Sequence, residues 1–308
     1  MKLLIELPTW LGDCVMTTPA IENIISSYPN SKVIFIGSRV SVDLMKNHPN
    51  CLEVIYMNKS IIKLILIAYK IGFVDIFFSF RSSPRVKLFS MLVNASRKFH
   101  YQKNNFKNGH QVEKYNEFIN ESLGLKTLPK GLLIHKKYPK GVSNKLTLGI
   151  NPGASYGSAK CWSYENFTKV ALSLSYKFDI LIFGGKDEIN LSKKIEKRLI
   201  KSGCKNFVNL AGKTSIDDLV NKISSLSLFI TGDSGPMHIA SAFQVPTISL
   251  FGPTKAHETS QWMNNKSIIL KKELPCQPCM KRVCPLGHHD CMKKITSEEV
   301  INSALSLI

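Results

Sequence analysis

The sequence predicts an α/β protein with two Rossmann-like domains facing each other across a cleft, and three observations predict it. The chain has 308 residues, which fits two domains of about 150 residues better than one core. Short apolar runs alternate with amphipathic stretches, as parallel sheets with helical crossovers require. That alternation occurs twice, on either side of a polar break at 136–145 that contains Pro139 and Gly141.

In the first half, Lys2–Leu7 reads as a strand and Val15–Ser27 as a helix, with Val15, Ala20, Ile21, Ile24 and Ile25 on one side. Lys32–Ile36 reads as a strand and Val40–Lys46 as a helix. The stretches Leu52–Tyr56, Ile61–Ile71 and Asp75–Phe78 continue the alternation. A basic, irregular stretch then carries Arg81, Arg85, Lys87, Arg97, Lys98, Lys103 and Lys107, and His110–Leu123 reads as a helix. The second half gives strands at Leu146–Ile150, Asp179–Phe183, Phe207–Leu210, Leu226–Thr231 and Pro246–Phe251. Helices fall between them at Tyr164–Tyr176, Asp187–Lys201, Ile216–Ser224 and Gly235–Phe243. Ser297–Ile308 is a closing helix, with Ser297 and the glutamates after it as its start signal. The domains are therefore 1–140 and 145–295, followed by the helix at 296–308.

Composition narrows the class. Hydrophobic residues at 44% and charged residues at 20% are those of a globular protein. Glu6 and Pro8 interrupt the first apolar run, which is therefore a strand and not a signal peptide. Lys63, Lys70, Gly72 and Asp75 break the apolar stretch 61–80, so no spanning helix is expected. These features predict a cytoplasmic protein, soluble or peripheral to a membrane. The net charge of +19 favours polyanions. Residues 1–145 hold 21 Lys+Arg against 9 Asp+Glu, or +12, so that half is the one expected to meet an acidic partner.

Ligands of open α/β sheets bind beyond the carboxyl ends of the strands, and three such ends carry chemistry here. After the first strand come Pro8, Thr9, Trp10, Leu11, Gly12 and Asp13. Gly12 allows a tight turn. Asp13 at the mouth of a helix is either a cap for free N–H groups or a general base. After Leu146–Ile150 comes a loop of small residues, Asn151 to Ser158, then Ala159, Lys160, Cys161 and Trp162. Ser155, the loop N–H groups and Lys160 could hold a phosphate, although the spacing is not that of a Walker A loop. After Leu226–Thr231 come Gly232, Asp233, Ser234, Gly235, Pro236, Met237 and His238. Pro236 suits a first helical turn, whose N–H groups at Ser234 and Gly235 favour an anion. Phe251-Gly252-Pro253-Thr254 makes another tight turn at the same edge.

Taken in order, the blocks Gly12–Pro19, Asn151-Pro152-Gly153 through Trp162, Gly232–His238 and Phe251–Thr254 resemble the lipopolysaccharide heptosyltransferases of glycosyltransferase family 9, which are inverting enzymes of GT-B architecture. The Asp-Ser-Gly-x-Met-His variant is most similar to the heptosyltransferase II branch. The resemblance implies transfer of heptose from ADP-L-glycero-D-manno-heptose to the heptosyl-Kdo-lipid A inner core. It implies that Asp13 is the base and that Lys160 neutralises the diphosphate leaving group. Donor binding would involve Thr9, Gly12, Ser155, Lys160, Asp233, Ser234, Gly235 and His238. The nucleoside would be held at Asp187 or Glu188, between which the sequence does not choose. Asp233 would orient its loop. Arg81, Arg85, Arg97 and Lys98, with Lys87, would meet acceptor phosphates or headgroups of the inner leaflet. No catalytic cofactor is implied.

Eight cysteines are present, and four are clustered as Cys276-x2-Cys279-x4-Cys284-x6-Cys291, with His288 and His289 among them. In a reducing compartment disulfides are disfavoured, and four soft ligands with a tight first pair suit a structural zinc or iron; the second pair is spaced more widely than in a zinc ribbon, and reduced free thiols are the alternative reading. Cys14 reads as a packed small residue. Other readings are heptosyltransferase I or III, a relative using another nucleotide sugar, or a basic nucleic-acid-binding protein. No nucleic-acid module is visible, and no G-x-G-x-x-G follows the first strand, which argues against a nicotinamide enzyme. The oligomeric state is not encoded in these patterns.

Overall fold

The computed structural model describes residues 1–58, 60–106, 108–136 and 146–308. Most of the 136–145 break, and Lys107, lie outside the described residues. The chain divides into two compact units, Met1–Lys137 and Tyr138–Ile308.

The N-terminal unit runs β1 (Lys2–Glu6), α1 (Leu11–Met16), α2 (Thr18–Ser27), β2 (Lys32–Gly37), α3 (Arg39–Met45), β3 (Cys51–Tyr56), α4 (Ile61–Ile71), β4 (Val74–Ser79), α5 (Pro84–Leu92), β5 (Ala95–His100) and α6 (Gln111–Leu123). Its sheet has the order β3-β2-β1-β4-β5, and every pair is parallel. The order reverses between β1 and β4, which makes their carboxyl ends the switch point. Leu4, Ile34, Ile36 and Phe77 of the strands pack under Leu64, Ala68 and Ile71 of α4 and Phe89 of α5.

The single helix expected over 15–27 is two helices that begin earlier. Pro19 has no N–H to continue the ladder. The Thr17 and Thr18 hydroxyls instead donate to the carbonyls of Cys14 and Val15, at 2.7 Å each. The basic stretch after β4 is not irregular: it forms α5, which starts at Pro84 where a missing N–H costs nothing, and the edge strand β5. Arg97 and Lys98 on that edge discourage pairing with another chain. His110 caps α6 in a reciprocal box with Glu113, and Gly124 ends it at φ +67°.

The C-terminal unit runs β6 (Thr147–Asn151), α7 (Tyr164–Leu174), β7 (Asp179–Ile182), α8 (Ile189–Lys201), β8 (Phe207–Asn209), α9 (Ile216–Ser224), β9 (Leu228–Gly232), α10 (Gly235–Ala242), β10 (Thr247–Phe251), α11 (Ala256–Thr259), β11 (Ser267–Lys271), α12 (Asp290–Lys293) and α13 (Ser297–Ser306). Its sheet order is β11-β10-β9-β6-β7-β8, again all parallel, with the switch point between β6 and β9. The core joins Leu148, Ile150, Leu228 and Ile230 to Phe167, Val170 and Leu174 of α7, and Met292 and Val300 close it. Thr296, not Ser297, caps α13, in a box with Glu299. No helix of the described residues is long and apolar enough to cross a membrane.

Candidate active site

In the N-terminal unit, Asp13 lies in the first turn of α1, directly beyond the carboxyl end of β1. It is partly buried, and the Tyr115 hydroxyl of α6 donates to its Oδ1 at 3.4 Å. Burial, then the charge of Asp13, pushes the Tyr115 phenol well above its ordinary range, so it remains a donor. Tyr115 is a partner that no local pattern announced: it lies 102 residues from Asp13 and only the topology joins them. Cys14 is fully buried, burial raises its thiol, and its Sγ–H donates to the Ser41 carbonyl, so it is a packed residue. Thr9 is exposed in the β1–α1 loop, and its carbonyl accepts from Ser38.

The cations expected to meet an acceptor separate into two groups. Arg81 lies just past β4, and its Nη1 donates to Glu6 at 3.3 Å. Glu6, at the end of β1, is 1% exposed and also accepts from Ser79 at 2.7 Å. Burial raises its carboxyl while Ser79, Arg81 and Arg85 oppose that shift. Arg81 and Arg85 therefore share the switch-point end of the sheet. Arg97 and Lys98 sit back along β5, opposite Ile76 and Phe77 in register. There Arg97 donates to the Tyr28 hydroxyl and Lys98 to the Ser90 carbonyl.

In the C-terminal unit, both strands of the switch point contribute. Lys160, in the loop after β6, donates to Asp233 Oδ2 at 2.6 Å and to the Asp233 carbonyl at 3.2 Å. Their side chains are 12% and 7% exposed. The Lys160 ammonium also lies 4.6 Å from the centre of the Tyr156 ring. Asp233 accepts from the Thr254 hydroxyl at 2.7 Å as well, which ties the turn after β10 to the same point. Ser234 is the N-cap residue of α10, with extended backbone and no side-chain capping bond; its hydroxyl meets Thr231 at 2.9 Å. The Gly235 end of α10 and Lys160 are thus brought together through Asp233, as an anion site requires. His238 is buried in the first turn of α10. Ser155 is exposed in the β6–α7 loop.

The structure separates Asp187 from Glu188. Asp187 is exposed, whereas Glu188 accepts from the Gly185 N–H and folds over the loop after β6. A Cβ on Gly153 would stand 2.3 Å from Glu188 Cγ, so glycine is needed there for that approach. Of these two carboxylates, Glu188 is the one that packs against the loop that carries Lys160.

The cysteine segment braces the same loop. Ala159 N–H donates to the Arg282 carbonyl at 3.0 Å, His289 Nε2 meets the Ala159 carbonyl at 2.8 Å, and the Tyr156 hydroxyl donates to the Met280 carbonyl at 2.7 Å. Gln277 donates to the Gly252 carbonyl at 2.7 Å. Gly157 has φ +150°, and a side chain there would meet the Arg282 carbonyl at 2.4 Å. Cys276, Cys279, Cys284 and Cys291 line one cavity of about 20 Å³ with His288 and His289. All are free thiols. Burial raises the Cys291 thiol, and the other three add to it. The donor types suit a soft metal.

Among the described residues, the three ligand-type atoms that lie within 4.8 Å of one another belong to Glu22, His48 and His135; the cysteine set lines its cavity without three of its ligand atoms coming that close. The Glu22 group is a hydrogen-bond cluster. His48 Nδ1 accepts from Asn50 N–H at 3.1 Å, so a neutral ring carries its proton on Nε2, which donates to Glu22 at 3.0 Å. That nitrogen has no lone pair for a metal.

Two all-parallel sheets, with a carboxylate beyond one switch point and a lysine beside a helix start at the other, have the architecture of a GT-B glycosyltransferase fold. The structure matches the solved structure of E. coli ADP-heptose lps heptosyltransferase II with a TM-score of 0.83, covering 100% of this chain and 98% of that one at 21% identity. It matches the iron-containing dodecameric glycosyltransferase TibC of enterotoxigenic E. coli with a TM-score of 0.65, covering 99% and 78% at 16% identity. The sequence is 42% identical to lipooligosaccharide heptosyltransferase 2 of Campylobacter jejuni over 100% of this chain and 98% of that protein. Residues 78–289 match the family model for glycosyltransferase family 9 (heptosyltransferase). The chain belongs to glycosyltransferase family 9, and it is a heptosyltransferase.

Proposed function

We propose that the protein transfers a heptose from ADP-L-glycero-D-manno-heptose to the heptose of a heptosyl-Kdo-lipid A inner core, with inversion in a single displacement. The observation that carries this reading is Asp13, held by a protonated Tyr115 at the end of β1 in a chain similar over its whole length to a lipooligosaccharide heptosyltransferase 2. Asp13 takes the proton from the acceptor hydroxyl as that oxygen attacks the anomeric carbon. The bond from that carbon to the diphosphate oxygen breaks, and ADP leaves. Lys160 and the N–H groups at the start of α10 neutralise the departing diphosphate. Asp233 positions Lys160, and Glu188 is the residue we assign to the nucleoside. Arg81 and Arg85, at the switch-point end, are assigned to acceptor phosphates ahead of Arg97 and Lys98. The acceptor is anchored in lipid, so the enzyme works at the cytoplasmic surface of the inner membrane. The four cysteines would hold a structural zinc or iron that pins the Lys160 loop; the supporting observations are the shared cavity and the iron-containing relative.

The test is a transfer assay with purified protein, ADP-heptose and lipopolysaccharide truncated after one heptose or after Kdo, read by mass spectrometry. Gain of one heptose on the first acceptor alone is the expected result. Gain on the Kdo-only acceptor would move the protein to the heptosyltransferase I reaction. No gain on either, with transfer from another nucleotide sugar, would overturn the donor assignment.

A further inference from the structure

We propose that the outward face of α4, continued by the end of α5, is a docking surface for an anionic lipid bilayer. The helix has two apolar sides. Leu64, Ala68 and Ile71 are spaced by four and three and enter the core. Ile62, Leu66 and Tyr69 are spaced by four and three and face outward, 70%, 60% and 87% exposed, and Phe73, just past the Gly72 turn that ends the helix, is 54% exposed. Met91 at the end of the adjoining α5 is 78% exposed. A contiguous apolar stripe at helical spacing is not the scattered exposure of an ordinary surface, and marks a surface that binds something.

Charge identifies the occupant. Lys63 and Lys70, seven residues apart, run along one flank of the stripe, Lys70 paired there with Glu53 of β3, and Lys87 is exposed on α5. Neither helix contains an acidic residue. Across residues 51–112 there are ten Lys+Arg against Glu53 and Asp75, so this segment supplies +8 of the net +19. A second copy of the chain would bring the same charge to the same face and be repelled. An anionic bilayer offers both complements: headgroups for the lysines and acyl chains for the stripe. Lysine stems can lie along the apolar surface with their ammonium groups at headgroup level. With 11 residues, α4 is too short to span and lies in the interface plane instead. The inference concerns lipid binding alone, and it stands whichever sugar or acceptor the enzyme uses.

The experiment is co-sedimentation of the full chain with vesicles of phosphatidylcholine alone, or of phosphatidylcholine with phosphatidylglycerol, at low and high salt. The wild type is expected on the anionic vesicles, less so at high salt. Ile62→Gln with Leu66→Gln should weaken partitioning by about tenfold or more at either salt. Lys63→Gln with Lys70→Gln should weaken it severalfold at low salt only. Tyr69→Ser, at the most exposed position, gives a milder variant should the double apolar change disturb folding, which thermal melting would show. Three results would each overturn the proposal: no binding of wild type to anionic vesicles, wild-type binding by folded stripe variants, or a dimer in light scattering that the stripe variants dissociate.

Discussion

Glu22 links three segments of the N-terminal unit, and its ionisation has a measurable consequence. Burial favours its neutral form, but the hydrogen bonds from His135 and His48 outweigh burial and hold the carboxyl at about 2, below the ordinary 4.5. A carboxyl depressed on folding contributes stability above its unfolded value, and that contribution disappears as pH falls from about 4.5 towards 2. The contribution is about 1–3 kcal/mol for a shift of this size on a group 30% exposed. Glu22→Gln should therefore unfold more easily than wild type at pH 7 and converge with it near pH 2 in denaturant titrations. Equal stability at pH 7 would show that the histidines do not act through Glu22. Nothing in the sequence marks this cluster, since residues 22, 48 and 135 meet only through the fold. Asp13 and Lys160 could be named as candidates because both lie in the segments that follow apolar strands. Tyr115 and Thr254 could not, because their roles depend on tertiary distance. Arg81 has a double duty: it offsets the buried Glu6 as well as facing the strand end. Removing it would leave that carboxylate without its nearest countercharge, so Arg85→Gln is the cleaner probe of acceptor binding and should raise the acceptor KM with ADP affinity unchanged.

At the scale of elements, the apolar alternation located strands whose residues are buried on both faces, such as β1, β2 and β9. It failed where elements carry charge. The edge strand β5 reads Ala-Ser-Arg-Lys-Phe-His, and α5 mixes cations with apolar residues around no clean stripe, so neither has the period of a half-buried element. The edge strand β11, Ser-Ile-Ile-Leu-Lys, escapes the pattern for another reason: it is short and only half-buried, with no period-2 alternation. The break between α1 and α2 is readable from Pro19. The cysteine segment shows how an irregular element serves a regular one: its carbonyls at Met280 and Arg282 receive the β6–α7 loop. Cys279→Ser should lower the metal content of the purified protein, measured by mass spectrometry of the ions, and weaken ADP binding in calorimetry. Loss of metal with ADP binding intact would separate the segment from the donor loop. A wild-type protein free of zinc and iron would remove the metal altogether.

At the scale of the whole molecule, two sheets with reversed strand order place their chemistry at predictable points, which is why the GT-B class is legible in the order of the motifs along the chain. The net charge is legible too, but not its arrangement. Only the three-dimensional placement of α4 separates cations beside an apolar stripe from those at a strand end. The central claim is heptose transfer with Asp13 as base, and the most direct measurement compares wild type with Asp13→Asn at saturating ADP-heptose and acceptor. The account predicts that the variant binds ADP as wild type does while kcat falls by about 10²–10⁴-fold. Transfer by Asp13→Asn at the wild-type rate would contradict it.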